Sequence, residues 1–135
     1  MSKRIAVVGV GLMGSSLARH LVSAGYPVIV HDLEPAKVEA LVQLGARRAR
    51  AADQIAAEVD VIMLSLPNSH IVNDVLTNSL QLFETGRKGL IVVDTSTPDP
   101  DMSAQMAARL RERGIDMLDG TISGTSEMLD RKSVV

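Results

Sequence analysis

The stretch RIAVVGVGLMGSSLARHLVSAGYPVIVHD, residues 4–32, constrains this chain more than any other. An apolar run at 5–8 enters Gly9-Val10-Gly11-Leu12-Met13-Gly14. A helical pattern carrying Leu17 and Leu21 then runs to Gly25, and Val28, Ile29 and Val30 lead to Asp32. The order is strand, glycine turn, helix, strand. In such a unit each glycine has its own mechanical reason: Gly9 permits the tight turn, Gly11 lets backbone amides approach a pyrophosphate, and Gly14 lets the helix lie close to the strand. The phosphates would sit on the N-terminus of a helix beginning near Leu12, where unpaired amides and the helix dipole favour negative charge. Asp32 falls about 20 positions further on, at a strand end, where a carboxylate accepts hydrogen bonds from ribose hydroxyls. A Gly-x-Gly-x-x-Gly alone is weak, and Asp32 alone is an ordinary strand-end residue. The strand before, the helix after and the acid at the right distance together point to a dinucleotide.

Composition narrows the remaining classes. The 135 residues suffice for one domain, not two. The formal net charge is -2, with acidic and basic residues mixed, so no nucleic-acid partner is expected. The basic residues Arg47, Arg48 and Arg50 read as a solvated connector. There is no cysteine, which excludes disulfide and thiolate chemistry and leaves the cytoplasm as the expected compartment. No apolar run approaches the roughly 20 residues needed to span a bilayer, so no membrane partner is expected. The N-terminal basic and apolar residues belong to the phosphate turn and are not read as a targeting signal. With one Tyr and one Phe, the core must be aliphatic, with methionine filling gaps.

Further along, Glu34 and Pro35 open a helix whose apolar face is Val38, Leu41 and Val42, with Gly45 just past its end. Residues 47–51 suggest a short third strand or connector, and 53–58 a small helix. The run 59–66 has the continuous apolarity of a buried parallel strand and is stopped by Pro67. A helix over 69–82, capped by Asn68 or Ser69, leads to a turn at 86–89 and a buried strand at 90–93. Asp99 or Thr97 can cap the next helix, Pro100 suits its first turn, and Met102, Met106 and Leu110 form a core stripe before Gly114. A last strand is expected at 115–118. Alternating strands and helices imply an α/β fold of the Rossmann type, a doubly wound, mostly parallel sheet of about six strands with helices on both faces. Ligands then bind beyond the C-terminal strand ends. Those ends carry Gly9 to Gly14, Asp32, Leu66-Pro67-Asn68, Asp94 to Thr97, and 119–125.

The segments GVGLMGSSLARHLVSAGYPVIVHDLEPAK, LPNS, VDTSTPDP and DGTISGT resemble the β-hydroxyacid dehydrogenases, the group of 3-hydroxyisobutyrate, tartronate semialdehyde and 6-phosphogluconate enzymes. The resemblance spans residue 4 to about 125. It implies an oxidoreductase passing a hydride between NAD and a small 3-hydroxy acid. It assigns cofactor contacts to Gly9, Gly11, Leu12, Met13, Gly14, Asp32, Leu66, Pro67 and Thr97, and substrate contacts to Ser96, Ser123 and Gly124. Residues 1–119 are then the dinucleotide-binding domain and 120–135 a substrate-loop motif and tail, with the family's helical domain outside these residues. The family usually has Ala-Pro-Val-Ser-Gly-Gly where this chain has Gly120-Thr121-Ile122-Ser123-Gly124-Thr125, so the particular substrate stays open. The catalytic lysine that the resemblance implies would lie beyond Val135; Lys132 matches no motif, so no catalytic residue is assigned. A non-catalytic dinucleotide-binding module is the competing function. No metal is expected, because His20, His31 and His70 lack ligand spacing. NAD is expected rather than NADP, since Asp32 would repel a 2′-phosphate and Leu33-Glu34-Pro35 supply no arginine. A homo-oligomer is left open.

Overall fold

A computed structural model describes residues 3–97 and 99–120. Six strands, β1 (Ile5–Val8), β2 (Val28–His31), β3 (Arg47–Arg48), β4 (Val61–Leu64), β5 (Ile91–Asp94) and β6 (Asp116–Asp119), form one sheet in the order β3-β2-β1-β4-β5-β6. All five pairings are parallel, with Val8 level with His31 and Leu64, and Leu64 level with Asp94. The chain winds outward from β1 to β3, crosses back, and winds outward again through β4 to β6. The order therefore reverses between β1 and β4, and that point opens a crevice at the strands' C-terminal ends.

Strand side chains alternate between faces, and each face has its own helices. Val7, Val28 and Val30 pack with Ala18 of α1 (Leu12–Ser23) and with Val38 and Leu41 of α2 (Pro35–Val42). Ala6, Val8, Ile29, Ile62, Leu64 and Val92 face the other way. They pack against Ile55 of α3 (Ile55–Glu58), Val72 of α4 (Ser69–Asp74), Leu82 of α5 (Leu82–Thr85), and Met106 and Leu110 of α6 (Pro100–Arg111). The expected aliphatic core is the observed one. Each fully buried leucine in it contributes about 2–3 kcal/mol of transfer free energy.

Several elements differ from the sequence expectation. The helix expected over 69–82 is α only as far as Asp74; Val75–Ser79 is a π turn, closed by the Leu80 amide donating to the Val75 carbonyl at 2.8 Å. The chain then passes through a left-handed Gln81, with φ 54°, into α5. The third strand is two residues long, and the helix expected at 53–58 begins with a 3₁₀ turn at Ala52–Gln54. The strand read over 59–66 pairs only through Val61–Leu64, because Val59 is a buried cap after α3 and Leu66 has already turned into the crevice loop. The two last strands lie one residue later than expected, in mutual register from Ile91 with Asp116. Of the alternative caps, Asn68 accepts from the Ile71 amide at 3.0 Å and Asp99 from those of Asp101 and Met102, whereas Glu34 makes no side-chain cap. No helix among the described residues is long and apolar enough to cross a membrane.

Candidate functional site

The glycine turn is fixed by bonds at both ends of the Val10 peptide. Its N–H donates to Asp32 Oδ2 at 2.9 Å, and its carbonyl accepts from the Ser15 hydroxyl at 2.7 Å. The Gly9 amide donates to the His31 carbonyl at 2.9 Å, which ties the turn to the end of β2. Gly9 has φ 91°, and a Cβ there would lie 2.2 Å from the Ser65 carbonyl oxygen. A Cβ on Gly14 would lie 1.8 Å from the Gly9 oxygen. These two glycines are required by the protein itself.

Gly11 is different. Its φ is −69°, open to any residue, and a Cβ added there meets nothing within 4 Å. The fold offers no internal reason for the missing side chain. Gly11 is also the N-cap of α1 and has no side chain to satisfy the amides of the first turn. Those amides, from Leu12, Met13 and Gly14, belong to the unpaired set at any helix start and face the open side of the turn with the positive end of the helix dipole. Such an arrangement suits an anion that approaches the backbone closely.

Beside the turn, a cleft of about 350 Å³ runs along the switch point. Val8 and Gly9 from β1, Asp32, Leu33 and Glu34 after β2, and Leu66 and Pro67 after β4 line one part of it; Ile71, Asp74, Val75 and Ser79 form the opposite wall. The Asp32 carboxylate is oriented by two amides, Val10 on Oδ2 and Glu34 on Oδ1 at 2.8 Å, and it retains lone pairs for hydroxyl donors. Leu33 is 92% exposed on the cleft rim. Among the described residues no lysine or arginine lines the cleft; the nearby Lys37 ammonium sits 3.5 Å from Glu34.

The expected site residues thus fall into groups. Gly9, Asp32, Leu66 and Pro67 meet in one cleft, and Gly11, Leu12, Met13 and Gly14 form the adjoining helix start. Ser96 is 3% exposed, and its hydroxyl oxygen accepts from the Leu66 amide at 2.9 Å, so in this structure it ties the β5 loop to the β4 loop. Asp94 supports that tie by accepting from the Ser96 amide, and Thr95 anchors the same loop on the Leu64 carbonyl. Thr97 is exposed at the same sheet edge but does not line the cleft. Ser123 and Gly124 lie outside the described residues. Sequence reading missed Ser15, Leu33, Ile71, Asp74, Val75 and Ser79. Ser15 carried a faint signal, as a hydroxyl next to the last glycine; the others are recognisable only once α4 is folded against the crevice. No group of three or more His, Asp or Glu side chains able to hold a metal occurs among the described residues.

Comparison with known proteins matches residues 4–133 to the NAD-binding domain of 6-phosphogluconate dehydrogenase. The chain is 35% identical over 123 residues to 2-(hydroxymethyl)glutarate dehydrogenase of Eubacterium barkeri. It is 37% identical over 122 residues to the NAD-dependent L-serine dehydrogenase of Pseudomonas aeruginosa. These alignments cover 91% and 90% of the chain, and the chain spans 41% of the length of each relative. Among solved structures, the 3-hydroxyisobutyrate dehydrogenase of Mycobacterium tuberculosis with L-serine superposes with a TM-score of 0.85 at 28% identity, over 94% of this chain and 43% of that one.

Proposed function

The chain belongs to the family of NAD-binding domains typified by 6-phosphogluconate dehydrogenase, and from that membership we propose that its sheet edge is the cofactor half-site of an oxidoreductase acting on a small 3-hydroxy acid. The observation that carries the reading is Gly11: a residue without a side chain where no protein atom would obstruct a Cβ, at the start of a helix whose first-turn amides have no side-chain cap. In this reading the amides of Leu12, Met13 and Gly14 hold the pyrophosphate, Asp32 takes the adenosine ribose hydroxyls, and Leu33, Leu66 and Pro67 border the adenine. Thr97 is proposed to reach the cofactor towards its nicotinamide end. When bound, NAD supplies the hydride acceptor; the chain's residues supply position.

The substrates named for the relatives share one chemistry. 3-Hydroxyisobutyrate, L-serine and 2-(hydroxymethyl)glutarate each carry a hydroxymethyl group on the carbon bearing a carboxylate. We assign the same substrate class here. Ser123 and Gly124 are proposed to hold that carboxylate, a hydroxyl and closely approachable amides being suited to it. A direct substrate contact from Ser96 would need its loop to move, because the residue is buried beneath the tie its hydroxyl makes to the Leu66 amide. Its support of the site is proposed to be positional.

Two experiments test this reading. Calorimetric titration should give tighter NADH than NADPH binding by about a hundredfold, the cost of setting a 2′-phosphate against a fixed carboxylate. Asp32→Ala should narrow that ratio; tighter NADPH, or no effect of the substitution, would contradict it. The second experiment concerns turnover. Lys3 and Lys88 precede β1 and β5 at the far edge of the sheet and Lys37 pairs with Glu34, so among the described residues no lysine base stands at the nicotinamide end, and Lys132 matches no motif. General acid–base catalysis is worth about 10²–10⁴-fold. Mixed with NAD and a panel of hydroxymethyl acids, the 135-residue chain should form no NADH at ordinary enzyme rates; formation at about 1–10³ per second would overturn the lysine argument.

A further inference from the structure

The cleft has a wall that the ribose and phosphate contacts do not use. It is made by the end of α4 and the π turn, and it contributes Ile71, Asp74, Val75 and Ser79. A π turn is a rare interruption of an α-helix and is found disproportionately at functional sites. Here it falls on the segment facing Asp32 and Leu33 across the cleft. Apolar side chains dominate the space between the walls, which suits the faces of a purine. The polar groups on the far wall, Asp74 and Ser79, are placed to meet its edge.

Asp74 is exposed on this wall, and its Oδ1 accepts from the Asn78 side-chain amide at 2.6 Å, one helical turn on. Among the described residues no donor reaches its Oδ2. The other ionisable groups lining the cleft are the carboxylates of Asp32 and Glu34 and the His31 ring, so among the described residues no lysine or arginine of its lining neutralises Asp74. An ionised carboxylate only accepts hydrogen bonds. The 6-position of adenine carries an amino donor, whereas hypoxanthine and guanine carry a carbonyl acceptor there. An acceptor set opposite the 6-position itself, and not opposite the N1–H that hypoxanthine and guanine carry beside it, therefore attracts adenine and repels the 6-carbonyl of the others.

We propose that Asp74 selects the base of the dinucleotide by accepting a hydrogen bond from the adenine 6-amino group. The proposal rests on the reading of this cleft as the adenosine site and adds a specificity determinant to it. The test compares NADH with its deaminated analogue, nicotinamide hypoxanthine dinucleotide, titrated into the 135-residue chain and into Asp74→Asn. The native chain should bind NADH about tenfold more tightly than the analogue, the size of one charge-assisted hydrogen bond at a half-open site. In Asp74→Asn the amide oxygen can keep the bond from Asn78 while its NH₂ group faces the base, so the preference should disappear or reverse. Equal affinity of the native chain for both dinucleotides, or a ratio unchanged by Asp74→Asn, would overturn the proposal while leaving the cofactor site standing. Failure of both dinucleotides to bind would overturn the cofactor reading and this proposal with it.

Discussion

Gly9, Gly11 and Gly14 show how one residue type answers three separate demands. Gly9 is needed for its positive φ, Gly14 for the 1.8 Å gap that a Cβ would have to share with a carbonyl oxygen, and Gly11 for neither reason. Asp32 likewise has two tasks, holding the Val10 amide and presenting acceptors to the cleft. At the opposite edge of the sheet, Asp60 clasps the start of the chain. Its Oδ2 accepts from the Arg4 amide at 2.8 Å, and the Arg4 and Arg87 guanidinium groups both stand 3.4 Å from Oδ1. The Arg4 amide and then the Arg4 guanidinium hold its carboxyl down from 3.8 to about 2, with Arg87 helping. A carboxylate whose pKa is lower in the folded state stabilises the fold above the unfolded value and stops doing so as pH falls through the folded one. Asp60→Asn should therefore lower the melting temperature at neutral pH, and the gap from the native chain should close as pH falls from about 4 towards 2. Melting curves across that range with a constant gap would contradict the assignment.

At the scale of elements, α1 and the switch-point sheet were legible because their signals are local. Glycine spacing, an apolar period and a terminal acid all lie within residues 4–32, and the helix starts at Leu12 as the turn requires. The caps of α4 and α6 were legible too, since Asn68 and Asp99 bond to amides two or three residues on. The π turn was not. Its sequence, VLTNS, has ordinary helical composition, and Leu76 and Leu80 keep the spacing of four that an unbroken α-helix also places on one face, so no local pattern marks the wider turn. Nor does an isolated glutamine announce a left-handed backbone. Gln81 adopts φ 54° because the carbonyl it presents must accept from the Glu84 and Thr85 amides that open α5. The left-handed region costs a non-glycine residue about 1–2 kcal/mol, partly offset in glycine by its larger unfolded-state entropy. Gln81→Gly should raise stability by about 0.5–1 kcal/mol, equivalent to a few degrees in Tm. A lower Tm would show that the glutamine side chain stabilises the turn in some other way.

Across the whole molecule, the two ends of the sheet differ in what they present. Its C-terminal edge gathers Asp32, Glu34 and Asp74 around an apolar cleft next to a helix N-terminus, whereas Arg4, Arg87, Lys88 and Arg113 gather at the other edge, where Arg87 and Arg113 donate to backbone carbonyls. On the proposed reading the cleft meets hydroxyl and amino donors, and the helix start beside it meets the pyrophosphate. A dinucleotide is the ligand that presents all three groups at once. That assignment is tested most directly by titrating NADH into the native chain and into Gly11→Val, with thermal melting of both. A Cβ at Gly11 meets no protein atom within 4 Å, so a valine should cost the fold only about 1 kcal/mol as a poor N-cap, yet it would occupy the space the pyrophosphate needs. The account predicts saturable NADH binding by the native chain, and at least a hundredfold loss in Gly11→Val with the cooperative melt retained. Undiminished NADH affinity in a folded Gly11→Val would contradict it.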